Sequence, residues 1–122
     1  MADFYHIRLE LAREPGRPAG DPTEGYDLVA PLDGEGRLDP AGCRENPERC
    51  YARRFVDGTT EAKGRLRHGP GDRWTIDLEP GEADDAVGFR FGDERFVAGE
   101  YVSLTLTDGE QHTYAVAAVA PV

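Results

Sequence analysis

The stretch YVSLTLTDGEQHTYAVAAV, residues Tyr101 to Val119, decides the fold class. Apolar and polar residues alternate along its first part, Tyr101 to Thr107, and again along its second part, Gln111 to Val119. This period of two is typical of half-buried strands. Between the two parts lies Asp108-Gly109, a dipeptide favoured in tight turns. The stretch therefore predicts an antiparallel β-hairpin.

Two registers are open for this hairpin. A two-residue loop places Val102 opposite Ala115, whereas a three-residue loop places Val102 opposite Tyr114, with Gly109 left-handed in a bulge. The second register joins large apolar residues across the two strands, and we favour it for that reason.

Six further strands are predicted upstream from the same alternation and from their flanking turn residues. They are Phe4 to Leu11, Tyr26 to Leu32, Cys50 to Val56, Ala62 to His68, Trp74 to Leu78, and Val87 to Phe91.

Two connections interrupt these strands. Glu14 to Gly25 contains three prolines and three glycines and is predicted to be an exposed loop. Asp39-Pro40 predicts the start of a short helix, because Asp can cap free amides and proline is tolerated at the first helical position. Pro47 limits this helix to two turns or fewer.

Composition supports the same class. The chain has 122 residues, of which 15 are Gly and 9 are Pro, and this abundance of turn-forming residues argues against a helical bundle. We predict one domain over residues 1–122. It is all-β, a small closed or half-open antiparallel barrel of about seven to eight strands with one short helix.

Two resemblances agree with this class. The stretches YHIRLELAR (residues 5–13) and GEYVSL (residues 99–104) resemble a family of short bacterial β-rich proteins, a likeness that implies no activity. The C-terminal part is similar to the strand-turn-strand of SH3-like small barrels. It carries that likeness through the string Phe96, Gly99, Glu100, Val102, Leu104, Asp108, Gly109, Tyr114 and Val116. Resemblance at the level of a fold does not supply a function.

Charge excludes some partners and leaves others open. There are 24 acidic against 14 basic residues, a net charge of −10, which disfavours non-specific nucleic acid because that binding depends on Lys and Arg. The excess of acidic residues is unevenly distributed along the chain. Residues 43–73 carry eight bases and five acids, whereas residues 21–42 carry one base and six acids.

Catalytic, metal and cofactor motifs are lacking in the sequence. His6, His68 and His112 lie on separate predicted strands, and the only serine, Ser103, lies within a strand. No metal-ligand spacing or cofactor motif occurs, so we assign no catalytic residues, no metal and no cofactor. These observations leave enzymatic activity undecided and favour a non-enzymatic role.

The remaining features concern thiols and location. Cys43 and Cys50 are seven apart, which fits neither a zinc site nor a redox Cys-x-x-Cys motif. We favour ordinary buried thiols, with a local disulfide as the alternative. No targeting or membrane-spanning segment is recognisable, so a cytoplasmic location without membrane contact is expected.

Within the basic stretch, Lys63, Arg65 and Arg67 alternate along one predicted strand and should share a face. A hairpin about Asp57-Gly58 would bring cations of the neighbouring strand to them. The candidate binding site comprises Arg53, Arg54, Lys63, Arg65, Arg67 and Trp74. Trp74 or Tyr51 would supply a stacking surface. The competing interpretation is an ordinary solvent-exposed face, on which each cation pairs with nearby acidic residues.

The function that this pattern favours is a non-enzymatic interaction module. It would bind a protein or another anionic partner through the basic strand and loops, as a monomer or a weak homodimer. The alternative is a small enzyme or ligand-binding barrel. Its pocket would lie under the Glu14 to Gly25 loop, with His6, Trp74 or Tyr114 inside it.

Overall fold

A computed structural model describes residues 3–12, 20–68, 74–79, 86–88, 95–106 and 111–122. Within these residues the chain forms eight strands in a meander, each antiparallel to the next, and β8 pairs with β1 to close a barrel. The all-β barrel predicted from the sequence is confirmed. The strands are β1 (Asp3–Leu11), β2 (Asp21–Leu32), β3 (Tyr51–Val56), β4 (Thr59–His68), β5 (Trp74–Glu79), β6 (Ala86–Gly88), β7 (Tyr101–Leu106) and β8 (Gln111–Pro121).

The register of the C-terminal hairpin is the one that pairs large apolar residues. Val102 lies opposite Tyr114, and Leu104 lies opposite His112. Val102, Leu104 and Tyr114 are all buried, which explains why this register is preferred over the one with Ala115. The predicted turn conformation at Gly109 lies outside the described residues.

The inside of the barrel is filled by side chains. Trp74, Tyr26 and Tyr114 are the largest fully buried residues of the described chain. They pack with aliphatic residues from most strands, among them Ile7, Leu9, Leu28, Leu66, Ile76, Leu104 and Val116. An eight-stranded barrel is just wide enough for side chains to fill it, and this one follows that rule.

One short helix lies between β2 and β3, as predicted. Helix α1 (Pro40–Glu45) begins after Asp39, whose carboxylate accepts hydrogen bonds from the backbone amides of Ala41 and Gly42. A single 3-10 turn, Pro47–Arg49, follows it and leads into β3. Helix α1 packs against β2 and β4. Within the described residues no helix is long and apolar enough to cross a membrane.

The predicted Glu14 to Gly25 loop is wrong at its C-terminal end, because β2 begins at Asp21. Asp21 pairs with Leu11 and Gly25 pairs with Glu10, so the residues between them bulge out of the ladder. Gly25 makes this possible. A Cβ at this position would lie 1.9 Å from the Leu9 carbonyl oxygen. The glycines and prolines here mark an irregular strand rather than its absence. Residues 14–19 of the predicted loop lie outside the described residues.

The strand predicted at Val87 to Phe91 corresponds to β6, Ala86–Gly88. Its predicted continuation over residues 89–91 lies outside the described part of the chain. Strand β6 pairs with both β5 and β7 and so joins the two halves of the barrel.

Candidate functional site

The hairpin of β3 and β4 carries most of the predicted site, and its turn is the predicted Asp57-Gly58. Both turn residues have positive φ, 55° for Asp57 and 76° for Gly58. Two positive values in a two-residue loop are those of a type I′ turn, whose twist matches that of the strands. The pairing places Arg53 opposite Lys63 and Tyr51 opposite Arg65.

Lys63, Arg65, Arg67 and Tyr51 form an exposed surface on the outside of the barrel, which we call the basic face. The three cations are exposed and alternate with less exposed residues of β4, as the sequence predicts. Tyr51 is 48% exposed and lies across from Arg65. A planar aromatic ring therefore lies next to a row of cations.

Ion pairing on the basic face is limited. Arg67 contacts Asp77 of β5, with 3.2 Å between Nε and Oδ2, and the two side chains are 63% and 42% exposed. A pair this exposed contributes little free energy. Within the described part of the chain, neither Lys63 nor Arg65 has an ion pair. Two of the three cations of the basic face therefore have no ion pair within the described residues.

Arg53 is on the same outer side of the barrel but is bound to Asp27. It donates a hydrogen bond to Asp27 Oδ2. His6 Nε2 lies 3.1 Å from Asp27 Oδ1, and Arg8 Nη1 lies 3.7 Å from Oδ2. We call these four residues the anchored patch. Asp27 is the one buried charged residue among those described, at 6% exposure. The Arg53 side chain is therefore bound to this carboxylate and is not part of the basic face.

Arg54 points into the barrel, because neighbouring residues of a strand face opposite sides. Its Nη1 donates a hydrogen bond of 2.9 Å to the Tyr26 hydroxyl, and Glu24 and Glu61 lie 3.7 Å away. The Tyr26 ring meets the Tyr114 ring edge to face, with 5.5 Å between centroids. Burial raises the pKa of the Tyr114 hydroxyl, so it stays neutral and can lie in the core.

Trp74 is also separate from the basic face. It is fully buried, and its ring lies against that of His68 with 4.8 Å between centroids. A buried ring cannot stack on a ligand at the surface, so Tyr51 is the aromatic residue available there. Of the six predicted site residues, the structure brings together Lys63, Arg65 and Arg67. Arg53 lies beside Lys63 but is bound to Asp27. Arg54 and Trp74 lie in the interior.

A cleft adjoins the basic face where helix α1 and the 3-10 turn meet the end of β4. Its volume is about 250 Å³. The wall contains three arginines, one histidine and no acidic residue, and consists of Cys43, Arg44, Pro47, Arg65, Leu66, Arg67 and His68. Cationic side chains converging in a concave site favour anions. Sequence analysis missed Arg44 and the cleft, because they depend on how α1 packs against β4.

A second groove, of about 600 Å³, runs beside the start of β2. Asp21 and Pro22 line it together with Tyr101 and residues of β1 and β8. The three side chains predicted for a pocket in this region lie elsewhere. His6 contacts Asp27 on the surface, and Trp74 and Tyr114 are in the core.

Comparison of the chain with family models, with curated proteins and with solved structures finds no match. The function must therefore be argued from the basic face and the cleft themselves.

Proposed function

We propose that this protein is a non-enzymatic interaction module that binds an acidic segment of a partner protein along the basic face. The observation that carries the proposal is the exposed row Lys63, Arg65 and Arg67. Limited pairing within the described residues leaves two of these three cations available.

The geometry of the row favours an extended peptide. Alternate residues of one strand lie about 6.6 to 6.8 Å apart on the same face. An extended peptide presents its own alternate side chains at the same spacing, so Asp or Glu at every second position can meet successive cations. Tyr51 beside Arg65 offers apolar contact to a residue between them. The arginines can bind carboxylates through two parallel hydrogen bonds.

The overall charge favours a short partner segment over a long polyanion. The chain carries a net charge of −10, so a polymer that extends beyond the basic face meets repulsion. A local cationic surface on an acidic protein suits association that is steered by charge and is reversible.

The alternative of a ligand-binding barrel has less support. Its pocket would need space inside the barrel, and Trp74, Tyr26 and Tyr114 occupy the described interior.

Charge reversal on the basic face tests the proposal. The probe is a synthetic peptide of alternating Glu and Thr, and the measurement is its affinity by isothermal titration calorimetry at low and at high salt. Arg65→Glu with Arg67→Glu should weaken binding by more than about tenfold, equivalent to about 1.4 kcal/mol. High salt should weaken the wild-type complex. The free energy of unfolding should change by no more than about 0.5 kcal/mol, because both side chains are exposed.

The matched control is Arg37→Glu with Arg95→Glu, which changes the net charge equally at residues outside the basic face. It should bind the peptide nearly as well as the wild type. Equal losses in both double variants would show that only net charge matters, and unchanged affinity in the first would exclude the basic face. Either result overturns the proposal.

A further inference from the structure

The cleft beside α1 is continuous with the basic face. Arg65 and Arg67 belong to the basic face and also to the wall of the cleft. Arg44, in the last turn of α1, adds a third arginine to this wall from a different element of the fold. All three side chains are exposed. A peptide that lies along β4 on the basic face therefore reaches the cleft at the end of the strand.

The arginines of the cleft have little acidic contact. Within the described part of the chain, neither Arg44 nor Arg65 has an ion pair. Arg67 contacts Asp77 through Nε, and both side chains of this pair are largely exposed. A guanidinium has five N–H donors, so this contact leaves the Nη donors of Arg67 for other acceptors. Three guanidinium charges with one exposed acidic contact favour a bound anion of high charge.

A phosphate monoester matches this wall better than a carboxylate does. A phosphorylated side chain carries about 1.5 to 2 negative charges at neutral pH and three strong acceptor oxygens. One arginine is enough to bind both oxygens of a carboxylate through two parallel hydrogen bonds. Three arginines from two elements can approach the three oxygens of a phosphate from different sides. Clusters of arginines are a general means of recognising phosphorylated peptides.

The size of the cleft restricts the group that it can hold. Its volume of about 250 Å³ is below the range of about 300 to 1,000 Å³ that is typical of pockets for whole small ligands. Pro47, Leu66 and Cys43 supply apolar surface beside the arginines. Cys43 and Cys50 are buried free thiols, as the sequence predicts. The cleft therefore suits one phosphorylated side chain, with its short aliphatic stem on the apolar wall.

We propose that the cleft binds the phosphate of a phosphorylated serine or threonine at one end of the acidic partner segment. This inference rests on the proposed function, because the rest of the segment would lie along the basic face. It adds the chemistry of the partner and a means of regulation, since phosphorylation of the partner strengthens the complex.

The test compares the alternating Glu and Thr peptide with two isomers in which phosphothreonine replaces its first or its last Glu. The two isomers cover both directions in which a peptide can lie along β4. Affinities are measured by isothermal titration calorimetry at low salt. The better isomer should bind more than about tenfold tighter than the peptide with Glu at that position, because phosphate has more charge and one more acceptor.

Three single variants locate the phosphate, and the quantity compared is the ratio of the two affinities in each variant. Arg44→Gln should reduce this ratio to less than about threefold, because one of the three guanidinium groups is lost. Arg37→Gln removes an equal charge outside the cleft and should keep the wild-type ratio. Lys63→Gln, on the basic face but outside the cleft wall, should weaken both complexes and also keep the ratio.

Free O-phosphothreonine is the third probe. It should bind at least about a hundredfold more weakly than the better phosphopeptide, because it makes no contact with the basic face. Equal affinity of the amino acid and the peptide would show a site for a small phosphorylated molecule and would overturn the proposal.

Two further results would contradict it. They are equal affinity of the peptides with Glu and with phosphothreonine, and an unchanged ratio in Arg44→Gln. If the first occurs while the peptide with Glu still binds, the cleft fails and the proposed function stands. If binding of the phosphopeptide depends on Arg44 but not on Lys63, the phosphate site stands and the basic face fails as a peptide surface.

Discussion

Two carboxylates on the outside of the barrel have cations beside them, yet their surroundings differ. Asp27 in the anchored patch has a side chain that is 8% exposed and contacts His6, Arg8 and Arg53. Asp77 beside the basic face is 42% exposed and contacts Arg67. Opposite charges attract strongly where water is excluded and weakly where it is not. The arginines around Asp27 therefore stabilise the fold, whereas the exposed contact between Asp77 and Arg67 contributes little free energy.

An irregularity of β3 lies next to the buried carboxylate of the anchored patch. The register of β3 against β4 shifts between Arg54 and Phe55. Phe55 is buried although it lies outside the main core cluster. The Arg8 guanidinium lies over its ring at 4.2 Å from the centroid while also contacting Asp27. An aromatic ring, two arginines and a histidine thus surround one carboxylate, an arrangement that the basic face lacks.

The largest change in the free energy of unfolding is expected for a substitution of Gly25, where the backbones of β1 and β2 approach each other beside the anchored patch. In Gly25→Ala the new Cβ would lie 1.9 Å from the Leu9 carbonyl oxygen, so backbone must move. We expect a loss of about 3 kcal/mol or more in the free energy of unfolding, measured by urea denaturation. The control is Gly34→Ala, where no atom lies within 4 Å of the added Cβ, and a change of no more than about 0.5 kcal/mol is expected. A Gly25→Ala protein as stable as the control would contradict the close approach.

The second largest change in the free energy of unfolding is expected for a substitution of Asp27, compared with the same substitution of Asp77. Asp27→Asn keeps the side-chain shape but leaves Arg8 and Arg53 without their negative partner, and we expect a loss of about 2 kcal/mol. Breaking a fully buried pair costs about 3 to 5 kcal/mol, and the partial exposure of these arginines lowers that figure. Asp77→Asn should change the free energy of unfolding by no more than about 0.5 kcal/mol. The free energies of unfolding are measured by urea denaturation. Equal losses in the two variants would show that the surroundings of Asp27 in the anchored patch and of Asp77 beside the basic face do not differ in their effect on stability.

Local rules were sufficient for much of the fold. The apolar pairing of Val102 with Tyr114 was predictable because cross-strand contacts between large side chains fix a register. The start of α1 was predictable because an Asp-Pro sequence caps and opens a helix. In both cases the residues that decide the structure are neighbours in sequence or across one turn.

The candidate site was predictable only in part, because the residues that decide it are neither neighbours in sequence nor joined across one turn. Arg54 was grouped with Arg53 among the surface cations, yet it lies inside against Tyr26. Adjacent strand residues face opposite sides, and the pairing of β3 with β2 and β4 decides which of the two faces inward. Asp27 is visible in the sequence as an acid within an apolar strand. Its partners Arg8 and Arg53 come from the strands on either side, and their convergence requires the tertiary pairing.

The smallest difference in the free energy of unfolding is expected between variants of Arg53 and Lys63, which lie directly opposite each other on neighbouring strands. Because of this position, the two variants test the difference between the anchored patch and the basic face most directly. Arg53→Gln removes a charged hydrogen bond to Asp27, a contact worth about 1.5 to 3 kcal/mol in general, so we expect a loss of about 1 kcal/mol for a side chain that is 39% exposed. Lys63→Gln should cost no more than about 0.5 kcal/mol.

A double-mutant cycle of Arg53→Gln with Asp27→Asn isolates the contact from general effects of charge. Its coupling energy should be about 1 kcal/mol, whereas the cycle of Lys63→Gln with Asp27→Asn should give a value near zero. If Lys63 couples to Asp27 as strongly as Arg53 does, the anchored patch extends onto the basic face. The cations proposed for partner binding would then belong to the fold instead.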